Sequence, residues 1–176
     1  MTIPLTAKKI QSLFESLNKK LQKNKVQGEI YMVGGAVMCV VYEARESTRD
    51  IDAYFKPAKQ LRIAARQVAA EKNLPEDWLN DGVKGFLSEQ GNFSHYLELS
   101  HLKIFTAEPA YLLAMKCLAT RIGEEFHDID DIRYLLRYLN ITKIQDAKTI
   151  IKQYYPLEKF PQKTFYLLEE LLQTKD

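Results

Sequence analysis

The sequence has no long apolar run. A window of about eighteen consecutive apolar residues, the length that crosses a bilayer as a helix, occurs nowhere in the 176 residues. Residues 1–14 also lack the apolar block of a secretory signal, because their apolar positions are spaced as in an amphipathic helix. These two absences predict a cytoplasmic protein with no membrane partner.

Cysteine is scarce, and the common metal-binding patterns are missing. Cys39 and Cys117 sit inside apolar stretches, which favours reduced, packed thiols over a disulfide framework. Neither a CxxC nor an HExxH pattern occurs, and His95, His101 and His127 lack the spacing of zinc ligands. The sequence therefore predicts no structural zinc site.

Neither an excess of charge nor an unusual composition marks the chain. Its formal net charge is +2 and its pI is near 8.4, which neither requires nor excludes a nucleic-acid partner. Apolar residues make up 46% and charged residues 27%, as in ordinary globular proteins. With 176 residues and no internal repeat, we expect one domain over residues 1–176.

Hydrophobic periodicity divides the chain into an α/β core, residues 1–107, and a helical C-terminal part, residues 108–176. The order of elements predicts the α+β class, with a small mixed β-sheet and flanking helices. Residues 74–82 are predicted to form one helical turn and a sharp reversal. Strands are predicted at 29–33, 50–55, 96–99 and 102–106, and helices at 6–24, 36–42, 59–72, from 109, from 128, at 143–154 and at 162–173.

Asp50 and Asp52 stand two residues apart on a predicted strand, so both side chains leave one face while Ile51 and Ala53 point to the core. Carboxylate oxygens are the hard ligands that Mg²⁺ prefers. A pair of such ions about 4 Å apart can activate an attacking oxygen and stabilise a leaving phosphate. The aspartates therefore indicate a metal site for phosphate chemistry, with ordinary solvent-facing strand positions as the alternative.

Gly34 and Gly35 follow a predicted buried strand and open the next predicted helix. Glycine lets a phosphate approach the backbone, and a helix N-terminus offers N–H groups to an anion. A plain turn would also use such a pair. Because the glycines and the two aspartates occur in this order, joined by one short helix, the combination favours a phosphate-binding site.

The segment Met32-Val33-Gly34-Gly35, followed after fourteen residues by Asp50-Ile51-Asp52, resembles the hydrophobic-Gly-Gly/Ser and Asp-x-Asp signature of the nucleotidyltransferase superfamily. The resemblance implies a nucleotidyltransferase-like fold and transfer of a nucleoside monophosphate from an NTP to an RNA (tRNA-like) or protein acceptor. It also implies Mg²⁺ or Mn²⁺ held by Asp50 and Asp52, with Gly34 and Gly35 holding the phosphates.

Further segments are similar to one branch of that superfamily. Residues 112–121 and 127–132 resemble the Lys…Arg and Asp-x-x-Asp-Ile motifs of the AbiEii-like, toxin-type nucleotidyltransferases. Residues 46–53 and 77–81 resemble a poorly characterised stand-alone bacterial group within it. Together the resemblances cover most of residues 28–140.

Four polar residues beyond the first motifs take roles from this resemblance. Lys116 would act in catalysis and nucleotide binding by neutralising triphosphate charge, and Arg121 would bind the nucleotide. Asp128 and Asp131 would be accessory residues of the polar pocket. Lys116 could equally be a snorkelling side chain in an apolar helix, and Asp128 and Asp131 could serve as an N-cap and a first-turn acid.

The superfamily pattern often includes a third carboxylate on a neighbouring strand. Glu98 is the first candidate for this third metal ligand and Asp81 is the second. Neither residue lies in a sequence context that decides between them.

Two other functions compete with catalysis. One is a non-catalytic nucleotide-binding or toxin–antitoxin interaction module on the same fold, with an antitoxin as its partner, which the unassigned third carboxylate favours. The other is a structural adaptor, in which the apolar helices after residue 109 form a homo-oligomer or partner interface. Trp78 is expected to be a core or interface residue rather than a platform for stacking bases.

Overall fold

Helices and strands are mixed, as the periodicity predicts, in the computed structural model of the protein, which describes residues 3–120 and 128–173. The described chain separates into two units. The first unit runs to Gly85 and includes Phe93–Ala107, and the second holds Phe86–Asn92 with the described residues from Glu108 onward. The α+β class is confirmed, because the described strands fall in the first unit and the second is helical.

The elements are numbered in chain order. The strands are β1 Leu5–Thr6, β2 Gly28–Val33, β3 Ser47–Thr48, β4 Ile51–Lys56, β5 Leu79–Asn80, β6 Phe93–Glu98 and β7 Leu102–Ala107. The helices of the first unit are α1 Ala7–Lys23, α2 Gly35–Val40 and α3 Ala58–Lys72. Those of the second unit are α4 Pro109–Leu118, α5 Asp128–Tyr138, α6 Ile144–Lys152 and α7 Gln162–Gln173.

Five strands form a mixed sheet in the order β5-β4-β2-β7-β6. The central strand β2 runs antiparallel to β4 and parallel to β7, while β5 runs parallel to β4 and β6 antiparallel to β7. The strand β2 was predicted to be buried on both faces, but only Ile30, Met32 and Val33 of residues 29–33 are buried, and Glu29 and Tyr31 are half-buried. The strands β1 and β3 pair separately, antiparallel to each other.

One face of the sheet forms the core of the first unit. Its residues, among them Ile30, Ala53 and Ile104, are fully buried. A Cβ at Gly28 would lie 3.0 Å from Leu21 of α1 and 3.0 Å from Leu61 of α3, so both helices pack on this face. The apolar stripes of the two helices, predicted from their spacing, are buried there.

Three short strands depart from the predicted elements. Residues 74–82 form a turn, in which the Trp78 N–H donates to the Pro75 carbonyl at 3.1 Å, but they also contain the unpredicted β5. This strand arises because the Trp78 carbonyl accepts a hydrogen bond from the Ile51 N–H at 2.7 Å and starts a ladder beside β4. The strands β1 and β3 were not predicted either. Two residues are too few to display a period of two, so such strands depend on tertiary pairing rather than on sequence pattern.

The thiols agree with the prediction from their apolar surroundings. Cys39 and Cys117 are both free and buried. Burial raises the pKa of Cys117 to about 12. Trp78 is likewise a core residue, 1% exposed, and its indole N–H donates to the Ala65 carbonyl at 2.8 Å.

In the second unit, α4 is buried over most of its circumference, including Tyr111, Leu112 and Leu113. The Thr164 hydroxyl of α7 donates to the Cys117 carbonyl at 3.2 Å and joins the two helices. Over residues 3–120 and 128–173, none of the helices combines the length and apolar character needed to cross a membrane.

Candidate functional site

The pairing of β2 with β4 brings Gly34 beside Asp52. Val33 is registered with Asp52, so the glycine that follows β2 lies next to the carboxylate of the second residue of β4. Gly34 has φ +71° and ψ −153°, a conformation that is essentially restricted to glycine. A Cβ there would lie 3.2 Å from Asp52 Oδ2. The two motifs that the sequence separates by fourteen residues are therefore neighbours in space.

Asp50 and Asp52 lie on the same side of Ile51, which is fully buried in the core. Strand alternation turns Asp52 of β4 away from the core, and Asp50, which directly precedes β4, contacts the residue registered with Asp52; both aspartates are half-buried. Asn80 of β5 is registered with Asp52, and its side-chain amide donates to Asp50 Oδ2 at 3.4 Å. The short strand β5 thus fixes the orientation of the first carboxylate.

Arg45 lies over the backbone of Gly35. A Cβ at position 35 would overlap Arg45 Nη1 and lie 3.0 Å from its Cζ, so glycine makes room for the guanidinium group. Thr48 Oγ1 would be 3.1 Å from the same Cβ, and this hydroxyl donates to the Asp50 carbonyl at 3.3 Å. Because Thr48 belongs to β3, its pairing with β1 holds this segment over the glycines.

Sequence reasoning missed Arg45, Thr48 and Asn80. Arg45 and Thr48 lie in a polar segment between the two motifs, where charged residues are common and carry no period. Asn80 was placed in a turn, and its role depends on the unpredicted strand β5. The available signal was an arginine and a threonine inside the short connection between a Gly-Gly turn and an Asp-x-Asp strand.

The assembled site combines opposite charges over a short distance. Asp50 and Asp52 offer carboxylate oxygens, while the guanidinium of Arg45 offers donors in the planar arrangement that suits phosphate. A metal ion and a polyphosphate chain need these two kinds of partner side by side. The arrangement is therefore chemically suited to a metal–nucleotide complex.

Glu98 does not approach this site. Through the register it is aligned with Lys103, Glu29 and Lys56, at the end of the sheet opposite to Asp52. Three strand spacings and four residues along the strand separate it from Asp52 by roughly 20 Å. Glu98 is exposed and pairs with Lys103 at 3.6 Å.

Asp81 is turned toward helix α3. Its Oδ2 lies 2.9 Å from Arg62 Nη2 and 2.9 Å from Lys84 Nζ. The hydrogen bond from Lys84 holds the pKa of Asp81 below its ordinary value. Because Arg62 belongs to α3, which packs on the core face, this carboxylate is directed away from the face of Asp52.

Lys116, Asp128 and Asp131 form a buried ionic trio in the second unit. Lys116 Nζ lies 2.7 Å from Asp131 Oδ2 and 3.5 Å from Asp128 Oδ1. The three residues are 9%, 2% and 4% exposed in the order Lys116, Asp131, Asp128. The trio ties α4 to the first turn of α5.

One predicted site residue, Arg121, lies outside the described residues. Within residues 3–120 and 128–173, no three His, Cys, Asp or Glu side chains gather as a metal-binding group. Asp50 and Asp52 thus stand as a pair of carboxylates among these residues.

Comparison of the chain with protein-family models, with curated proteins and with solved structures finds no match.

Proposed function

We propose that this chain is a magnesium-dependent nucleotidyltransferase with a nucleotidyltransferase-like fold, which transfers a nucleoside monophosphate from an NTP to an acceptor hydroxyl. The observation that carries the proposal is the approach of Gly34 to Asp52 across β2 and β4. Asp50 on the same face and Arg45 over Gly35 add the groups that metal and phosphate require. The motif resemblance supports the same chemistry.

The two aspartates fit a magnesium ion that is shared with a nucleotide. Mg²⁺ is usually bound by one or two carboxylates together with substrate phosphates and waters, rather than by a complete protein cage. Asp50 and Asp52 supply that number of carboxylates from one face, and Asn80 orients the first of them. When bound, Mg²⁺ or Mn²⁺ would neutralise triphosphate charge and polarise the α-phosphate.

We assign the phosphate-binding cation to Arg45 instead of Lys116. Lys116 is 9% exposed and its ammonium is already held by two carboxylates, so moving it to a triphosphate would break a buried ionic contact. Arg45 is half-buried beside the glycines, in the first unit with Asp50 and Asp52. Its guanidinium can donate two parallel hydrogen bonds to phosphate oxygens.

The proposed reaction forms one bond and breaks one. The acceptor oxygen bonds to the α-phosphorus of the NTP, the bond between that phosphorus and the α–β bridging oxygen breaks, and pyrophosphate leaves. The acceptor proton is released to solvent. Arg45 would stabilise charge on the departing pyrophosphate, while Asp50 and Asp52 would hold the metal ion that neutralises the triphosphate.

Labelled nucleotides test the proposal directly. The purified chain is incubated with Mg²⁺, the four α-³²P-NTPs and either total RNA or protein extract, and the labelled product is resolved on gels. Wild type should label an acceptor, and Asp50→Asn and Asp52→Asn should reduce labelling at least a hundredfold. Glu98→Gln and Asp81→Asn are matched controls, since each removes a carboxylate outside the site. Absence of labelling, or its survival in both site variants, would remove the catalytic proposal.

Nucleotide binding without turnover is the second candidate function. It is favoured by the carboxylate count, because Asp50 and Asp52 are not joined by a third acid among the described residues. Isothermal calorimetry with Mg-ATP and Mg-CTP separates the two. Binding that Asp52→Asn abolishes, together with no labelled acceptor, would support the non-catalytic function.

A further inference from the structure

The face of the sheet opposite the core carries side chains in three cross-strand rows. The row nearest the candidate site contains Asp52 and Val33. The last row has alternating charges, and between the two lies a row built from aromatic side chains. In order across the sheet, the middle row is Tyr54, Tyr31, Phe105 and His95, and the last is Lys56, Glu29, Lys103 and Glu98.

The rings of the middle row contact one another. Tyr31 and Phe105 are stacked, with centroids 4.8 Å apart and planes 10° apart. Tyr54 is tilted 42° from Tyr31 at 5.8 Å, and His95 meets Phe105 edge-on at 5.7 Å. Phe93 adds a further edge contact to Tyr31 at 5.2 Å. The row is therefore a continuous aromatic surface across four strands.

This surface is partly open to solvent. Tyr54, Tyr31, Phe105 and Phe93 are half-buried and His95 is exposed. The solvent-facing side of a sheet is normally polar, since apolar rings gain more when they are buried. An open aromatic surface of this kind indicates a flat, π-rich partner.

We propose that the aromatic row binds unpaired bases of single-stranded RNA, and that this RNA is the acceptor. RNA would then be the acceptor class of the proposed transferase. The role of RNA as acceptor rests on the proposed function, whereas RNA binding by the aromatic row does not. Tyr54 lies two residues from Asp52 on β4, so a base on this ring would hold its strand about 7 Å from the carboxylate.

The length of the row favours a strand of RNA over the base of the NTP. Tyr54 and His95 are separated by three strand spacings, about 14 Å. A single base covers one or two rings, whereas aromatic sheet surfaces of this width stack two or three successive bases. Stacking on rings tolerates any base, so the row would contribute affinity with little sequence preference.

Charge supports an anionic partner. The first unit has fifteen Lys and Arg against eleven Asp and Glu, an excess of four positive charges. Lys56 and Lys103 stand beside the aromatic row, and Lys56 Nζ lies 5.6 Å from the centre of the Tyr31 ring. Both lysines now pair with glutamates, at 3.3 Å and 3.6 Å, in exposed contacts that a phosphate can replace.

Fluorescence anisotropy with a labelled, unstructured twelve-nucleotide RNA tests the surface without NTP or metal. Wild type should bind it more tightly than the same sequence in a duplex, whose bases cannot reach the rings. Tyr54→Leu removes the ring and should weaken binding about tenfold, whereas Tyr54→Phe keeps it and should bind within twofold of wild type. Tyr166→Leu changes a tyrosine of α7 that is 64% exposed and should have no effect.

His95 is exposed, so its substitution gives a second variant that should fold normally. His95→Ala should weaken the binding of this RNA severalfold with an unchanged melting curve. Equal binding of duplex and single strand, or wild-type affinity in both Tyr54→Leu and His95→Ala, would overturn the inference. So would labelling of protein alone in the transfer assay.

The same measurements separate this inference from the proposed function. Asp52→Asn should bind the RNA like wild type while failing to transfer nucleotide. RNA binding through Tyr54 with no transfer by wild type would sustain the aromatic surface and remove the catalytic proposal. Nucleotide transfer by wild type without RNA binding would sustain the catalytic proposal and remove the aromatic surface as an RNA site.

Discussion

Lys116 Nζ lies 2.7 Å from Asp131 Oδ2, in a contact between two buried residues. A buried ion pair contributes little net stability when intact, but removal of one partner is costly because the remaining charge stays buried. Substitution of Lys116 therefore tests whether this residue, which matches a catalytic motif, is instead a structural link between α4 and α5.

We expect Lys116→Met to lower the free energy of unfolding by about 3–5 kcal/mol, since Asp128 and Asp131 would lose their shared cation. Urea denaturation measures the change. Arg133→Met is the matched control, because its pair with Asp130, at 3.4 Å, is exposed and should contribute below about 1 kcal/mol. Unchanged stability with lost nucleotide binding would instead assign Lys116 to the phosphates.

Gly34→Ala should damage both stability and the site. The backbone conformation at Gly34 costs about 1–3 kcal/mol for a residue with a Cβ, and the new methyl group would press on the Asp52 carboxylate. Thermal melting and Mg-ATP calorimetry should both report a loss. Gly85→Ala serves as the control, because a Cβ there meets nothing within 4 Å and the variant should match wild type in both measurements.

Gly35→Ala and Arg45→Gln should act through the same interaction. If the role of Gly35 is to leave room for the Arg45 guanidinium, each variant should weaken Mg-ATP binding about tenfold. The double variant should then bind Mg-ATP no more weakly than either single variant. A double-mutant cycle by calorimetry measures this coupling. Additive losses would mean that the two residues serve the site separately.

Asp81→Asn should change the pH dependence of stability while leaving nucleotide binding intact. The hydrogen bond from Lys84 lowers the pKa of Asp81 in the folded state, so its stabilisation is complete above the unfolded pKa, near 4, and is lost as pH falls through the folded value. Wild type should exceed the variant by up to about 1 kcal/mol at pH 7, and the two should converge once the pH is below the folded pKa of Asp81. A constant difference down to pH 2 would contradict this origin.

The long, periodic elements could be predicted because the spacing of apolar residues within one continuous segment indicates which residues are buried. The stripe of α1, from Ile10 to Leu21, and the alternation around Ile51 and Ala53 both correspond to buried residues. The short strands could not be predicted, since Leu79–Asn80 becomes a strand only by adding to the edge of β4. Their stability comes from tertiary pairing.

The candidate site was predictable in part for a related reason. Gly34, Asp50 and Asp52 belong to local sequence motifs, so their proximity could be predicted from the sequence. Arg45 carries none, because its position over Gly35 depends on the pairing of β3 with β1. Glu98 was a candidate because it is an acid on a predicted strand. Its distance from Asp52 follows from strand order, which a single sequence does not encode in any period.

The parallel pairing of β2 with β7 has a consequence for how the chain folds. Gly28 pairs with Leu102, about 70 residues later, so this pairing must close a long loop before it contributes any stability. During synthesis β2 can pair with β4 early, but the other edge of β2 stays unpaired until β7 has been synthesised. We therefore expect the first unit to fold on a slow timescale for its size and to be most prone to aggregation before Ala107 has left the ribosome.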